Sequence, residues 1–123
     1  MKAFYKQLKV DPADIPYLGF AWHQRIFLGT TLPFGMRSSA LSAQRVSNAI
    51  VKIHFSITAT PLVAYIDDHI GITRAIIAPV AYLSYNNLID DLGVVKTHEK
   101  CHCPLPETEY LGLEYDTNQL IVS

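Results

Sequence analysis

LVAYIDDHIGI, residues Leu62 to Ile72, sets two adjacent carboxylates inside an otherwise apolar run. LVAYI and HIGIT on either side are apolar and rich in β-branched residues, so they read as two strands of a hairpin. Asp67 and Asp68 then fall in the tight turn between them. Asp is a common turn residue whose side chain bonds nearby backbone amides, and for an arbitrary Asp-Asp pair that explanation suffices. Here the flanks make a buried hairpin, and a turn at the end of a sheet is a place for something to bind. Paired hard oxygen ligands suit Mg2+, which takes one or two carboxylates together with substrate phosphates. A pair of such ions can activate an attacking oxygen and stabilise a leaving one in phosphoryl transfer.

Upstream, SSALSAQRVSNAIVKIHF reads as a helix over 38–54, with Ser38 or Ser39 able to cap it and Ala43, Val46, Ile50 and Ile53 at helical spacing on one face. Thr60–Pro61 ends it. Before it, YLGFAW and RIFLGTTL flank His23–Gln24 and predict a hairpin, and residues 1–9 predict a short helical turn closed by the two-proline loop DPADIP. Downstream, a second helix is expected from Ala78 to Leu92, with Pro79 in its first turn and Gly93 as its stop. Short strands are expected around KCHC, EYLGLEY and LIVS, the last two joined by DTNQ. Hairpins interleaved with helices predict an α+β fold with a largely antiparallel sheet.

The chain has 123 residues, half of them apolar and 17% charged, which fits one domain or a piece of one. Lys52, His54 and the Asp pair interrupt the most apolar region, so no run spans a membrane, and MKAFYKQLK lacks the apolar core of a signal peptide. A soluble intracellular protein is expected. Residues 1–61 hold seven Lys/Arg against two Asp/Glu, whereas residues 62–123 hold three against nine. One half can face phosphates while the other gathers acid groups, although a solvated surface can carry the same split. Cys101 and Cys103, one residue apart, are poorly spaced for a mutual disulfide and give no extracellular framework. Cys101, His102 and Cys103 would alternate across a strand and cannot all point at one ion, so zinc is not expected.

YIDD, Tyr65 to Asp68, resembles the Tyr-X-Asp-Asp signature of reverse transcriptases. Further blocks stand in the family's order. LPFGMRSSA, residues 32–40, resembles the block that leads into the template-contacting helix. LGVVKTHEKC, residues 92–101, resembles the segment that closes the palm helix and carries a lysine. YLGLEYD, residues 110–116, is similar to the hairpin that grips the primer strand, and AFYKQLKVDP, residues 3–12, to the region after the first catalytic aspartate. The wording LPFG and YLG is closest to retrotransposons of the long-terminal-repeat and tyrosine-recombinase (DIRS-like) kinds. The resemblance covers nearly the whole chain. It implies a polymerase palm, an antiparallel sheet on two helices, and DNA synthesis from dNTPs on an RNA template and DNA primer with two Mg2+, Mn2+ being a possible substitute.

The resemblance also assigns roles. Asp67 is the metal ligand and catalytic carboxylate, with Asp68 its weaker partner. Tyr5 resembles the aromatic that stacks under the incoming sugar, and Phe34 and Gly35 the contacts to nucleotide and template. Arg37 and Arg45 would meet phosphates from the helix. Ile66 would abut the primer end with Tyr65 beneath it, and Leu111 and Gly112 belong to the primer-gripping hairpin. Lys100 matches the lysine near the leaving pyrophosphate, where it can act as general acid or neutralise charge, with Lys96 its competitor. Tyr5 and Gln7 fix the register of the first block, and in that register the family's first aspartate falls one residue before Met1. The expectation is therefore a partial domain over 1–123, a palm core incomplete at its N-terminus, without fingers, thumb or RNase H, and inactive alone. The alternatives are a non-catalytic palm remnant or domesticated nucleic-acid-binding module, and an unrelated α+β protein with a fortuitous Asp-Asp turn.

Overall fold

The computed structural model describes residues 1–97 and 101–122. Its elements run α1 (Phe4–Gln7), a 3₁₀ turn (Ile15–Leu18), β1 (Gly19–Trp22), β2 (Arg25–Leu28), α2 (Arg37–Thr58), β3 (Leu62–Tyr65), β4 (Asp68–Gly71), α3 (Ala78–Asp91), β5 (Glu107–Tyr110), β6 (Leu113–Asp116) and β7 (Ile121–Val122). The fold is α+β, and every strand pairing is antiparallel. The strands divide among three small sheets, β1–β2, β3–β4 and β5–β6–β7, rather than sharing one.

The core lies where α1 and α3 meet α2. Phe4, Ala43, Ile50, Ala81 and Ile89 are buried, and Ile89 is fully so. The face of α2 that turns inward differs in part from the apolar spacing. Ala43 and Ile50 are buried as expected, but Ser47 and His54 share their stripe while Ile53 is exposed. The reason is that polar groups opposite α2 need partners: His54 Nε2 lies 3.3 Å from the Ala81 carbonyl of α3, and Ser47 Oγ donates to the Ile66 carbonyl. Nor does either serine cap α2. Met36 is its N-cap, without a side-chain bond, and Ser39 is buried.

Three two-residue turns shape the hairpins. His23–Gln24 and Leu111–Gly112 both have positive φ at each position, the type I′ pattern whose twist suits paired strands. EYLGLEY is therefore a hairpin in itself rather than one strand. The expected strand around KCHC is not formed at Cys101–Cys103, and Lys100 lies outside the described residues. Gly93 ends α3 at φ 69°, and its amide donates to the Asp90 carbonyl at 3.0 Å. A Cβ there would meet nothing within 4 Å, so Gly93→Ala should cost only the left-handed backbone term. That is about 1–2 kcal/mol, read as a lower urea midpoint at unchanged slope.

No helix among the described residues is long and apolar enough to cross a membrane. The β1–β2 hairpin stands outside the core, with Phe20 and Phe27 stacked at 5.4 Å and Trp22, Ile26 and Leu28 exposed.

Candidate functional site

The β3–β4 register pairs Tyr65 with Asp68, so the connection is Ile66–Asp67 and Asp68 is the first residue of β4. The turn is thus one residue earlier than the sequence predicted. Ile66 has φ 51°. Positive φ at the first central position is the type II′ arrangement, which normally takes glycine there. A β-branched residue in that conformation is strained by about 1–3 kcal/mol and persists only where its surroundings hold it.

Those surroundings come from α2. The Ile66 amide donates to Gln44 Oε1 at 2.8 Å, and Gln44 Nε2 donates to the Ala64 carbonyl at 3.0 Å. Ser47, one helical turn on, takes the Ile66 carbonyl. On the far side, the Tyr110 hydroxyl donates to the Asp68 carbonyl at 3.2 Å, tying the β5–β6 hairpin to the acid pair. Burial, and then the Asp68 charge, push the Tyr110 pKa up, so it remains the donor.

The N-terminus closes the third side. Met1 N donates to the Asp67 carbonyl at 2.9 Å and lies 3.9 Å from Asp67 Oδ2, although 66 residues separate the two. Gln7 anchors this segment: its Oε1 accepts from Val95 N at 2.8 Å and its Nε2 donates to Val95 O at 3.1 Å. Tyr5, half-buried, meets Phe34 with ring centroids 4.9 Å apart. Phe34 is exposed and Gly35 takes φ 86° with open space around it, so this aromatic pair borders a free surface. Arg37, Arg45 and Lys52 are exposed along α2.

Beneath Asp68, His69 Nδ1 lies 2.7 Å from the Tyr85 hydroxyl, and Tyr85 in turn packs edge-on against His54 at 5.7 Å. Burial first, then the N-terminal ammonium, lowers the His69 pKa to about 4, against the pull of Asp67 and Asp68. Burial also pushes the Tyr85 hydroxyl up.

Asp67 is 43% exposed and Asp68 is exposed, so both carboxylates are open to a ligand from solution. Tyr65 is exposed at the end of β3, and Leu111 and Gly112 form the tip of the β5–β6 hairpin. Lys96 does not point to the acid pair. Its side chain bridges Asp90 at 2.8 Å and Asn86 at 3.1 Å, which commits it to the end of α3. Among the described residues no three His, Cys, Asp or Glu side chains group around a metal position. No sequence motif singles out Gln44 or Ser47, and Tyr110 enters the sequence only as the first residue of the YLGLEYD block. The available signal was a Ser and a His on the apolar stripe of α2, since buried polar groups require partners. No protein-family model matches the chain, and no curated protein matches it.

Proposed function

We propose that the chain is palm sequence of a retroelement reverse transcriptase, in which Asp67 and Asp68 hold Mg2+ for template-directed DNA synthesis from dNTPs. The observation that carries this is the contact of Met1 with Asp67. The resemblance, read from Tyr5 and Gln7, sets the family's first aspartate one residue before Met1. The fold brings Met1 against Asp67, which the resemblance matches to the second aspartate of the family's set. Successive Cα atoms lie about 3.8 Å apart, so a side chain at that preceding position would border Asp67. Carboxylates from two strands of chain meeting there suit a pair of ions about 3.5–4 Å apart.

Three further features support the reading. Tyr5 and Phe34 meet at a tilt of 39° beside a free surface, where aromatic faces can receive a base or sugar. Tyr110, the last residue of β5 before the Leu111–Gly112 tip, donates to the Asp68 carbonyl, as a residue of a primer-holding hairpin should. Exposed Arg37, Arg45 and Lys52 on one helix can meet phosphates, the commonest contact in nucleic-acid binding. The pyrophosphate role of Lys100 stays part of the proposal on the sequence match alone.

Mn2+ tests the metal half directly. Millimolar Mn2+ should broaden the NMR signals of Asp67, Asp68 and Ile66 first, more strongly with a dNTP present, because Mg2+-type ions bind through carboxylates and substrate phosphates together. Asp67→Asn should remove the effect. Uniform or absent broadening at the turn would count against the reading, and template–primer binding without it would favour the non-catalytic palm instead.

A further inference from the structure

We propose that Gln44 is a positioning residue whose side-chain amide holds Ile66 in its left-handed conformation and so sets the directions of the Asp67 and Asp68 carboxylates. The inference rests on the reading above for what the carboxylates do. The positioning itself stands on the hydrogen bonds.

Among the described residues β3 has β4 on one edge only. Its other edge presents the Ala64 carbonyl and the Ile66 amide, two residues apart. Gln44 meets both, accepting from residue 66 and donating to residue 64. One residue of a neighbouring parallel strand, through its own N–H and C=O, makes the same pair of bonds. One side chain on α2 thus takes the place of a strand at the point where the turn begins.

The orientation of that amide is determined. The Ile66 N–H can only donate, so an oxygen must face it, and the Ala64 carbonyl can only accept, so the nitrogen must face that. Asn48 Oδ1 takes the second hydrogen of Gln44 Nε2 at 2.8 Å. Ser47, fully buried, secures the other side of Ile66 through its carbonyl. Gln44 and Ser47 are three apart and face the same way. Both project from the same helix that buries Ala43 and Ile50, so the turn is referenced to the core rather than to a mobile loop. Without the clamp, Ile66 has every reason to leave positive φ. The carboxylates that follow it in sequence would turn with it.

The test uses the 123-residue chain and Mn2+ as the probe. In Gln44→Ala, the Ile66 amide should exchange with solvent at least about tenfold faster while Ile50 and Ile89 keep their protection. Mn2+ at the acid pair should bind at least about fivefold more weakly. Adding Ile66→Gly to Gln44→Ala should recover most of that affinity, because glycine adopts positive φ without help. A residue that merely stabilised the fold would not be rescued in this way. Unchanged Ile66 protection in Gln44→Ala, or no recovery of Mn2+ affinity with Ile66→Gly, overturns the proposal. If the unsubstituted chain binds no Mn2+, the metal reading fails, and Ile66 exchange alone decides the positioning. Should Gln44→Ala not fold, Gln44→Asn makes the same comparison, since it keeps the amide but is one methylene short of β3.

Discussion

A polypeptide of residues 1–123 should extend no primer on an RNA or DNA template, whereas one with an upstream segment that sets an aspartate immediately before Met1 should do so in Mg2+. On the proposed reading, two-metal transfer needs carboxylates on both sides of ions about 3.5–4 Å apart. Asp67 and Asp68 supply one side, and among the described residues no third acid groups with them. In phosphoryl transfer the protein contributes mainly positioning and neutralisation of charge. Losing a metal ligand should therefore slow extension by at least about a thousandfold. Asp67→Asn in the longer polypeptide should abolish extension again. Extension by 1–123 that depends on Asp67 would mean that another group stands in for the missing carboxylate.

Acid should weaken this fold through His69. Its folded pKa is about 4, against an ordinary value of 6.5, chiefly because burial disfavours the imidazolium. Above pH 6.5 both folded and unfolded chains hold it neutral, and its preference for the neutral form costs nothing. Below that value the unfolded chain takes up a proton that the folded chain refuses, so stability falls as pH drops from 6.5 towards 4. The full loss is about 3 kcal/mol. Urea unfolding at pH 7.5 and at pH 4.5, both with chelator, should show this difference in the native sequence. His69→Gln should lack that part of the pH dependence, leaving only what the carboxylates contribute. Equal slopes in the two proteins would show that His69 accepts its proton without unfolding.

The helices were legible because their signals are local. Pro79 and Gly93 bracket α3 to within a residue of its observed end, and the apolar spacing of Ala43 and Ile50 runs through α2. The hairpins at His23–Gln24 and around the acid pair followed from alternating apolar runs. What failed was the register of the acid turn. A reader of sequence puts Asp in the turn and Ile in the strand, and only the tertiary bonds from Gln44 and Ser47 make the reverse tolerable for Ile66. Those bonds link positions about twenty residues apart and carry no periodic signature. The same holds for the Met1–Asp67 contact, which spans 66 residues. Lys96 competes with Lys100 in the sequence because both lie in the LGVVKTHEKC block, and its pairing with Asp90 depends on how the chain leaves α3.

Met1 N against Asp67 has a practical side for anyone preparing this protein. A histidine tag or a cleavage remnant joined to the amino end would begin at the acid pair itself. It would exchange a charged ammonium beside Asp67 for a neutral amide, and its imidazoles could compete for the very ion under study. Purification handles therefore belong at the carboxyl end. Metal-binding data from amino-tagged material should be repeated after the tag is removed.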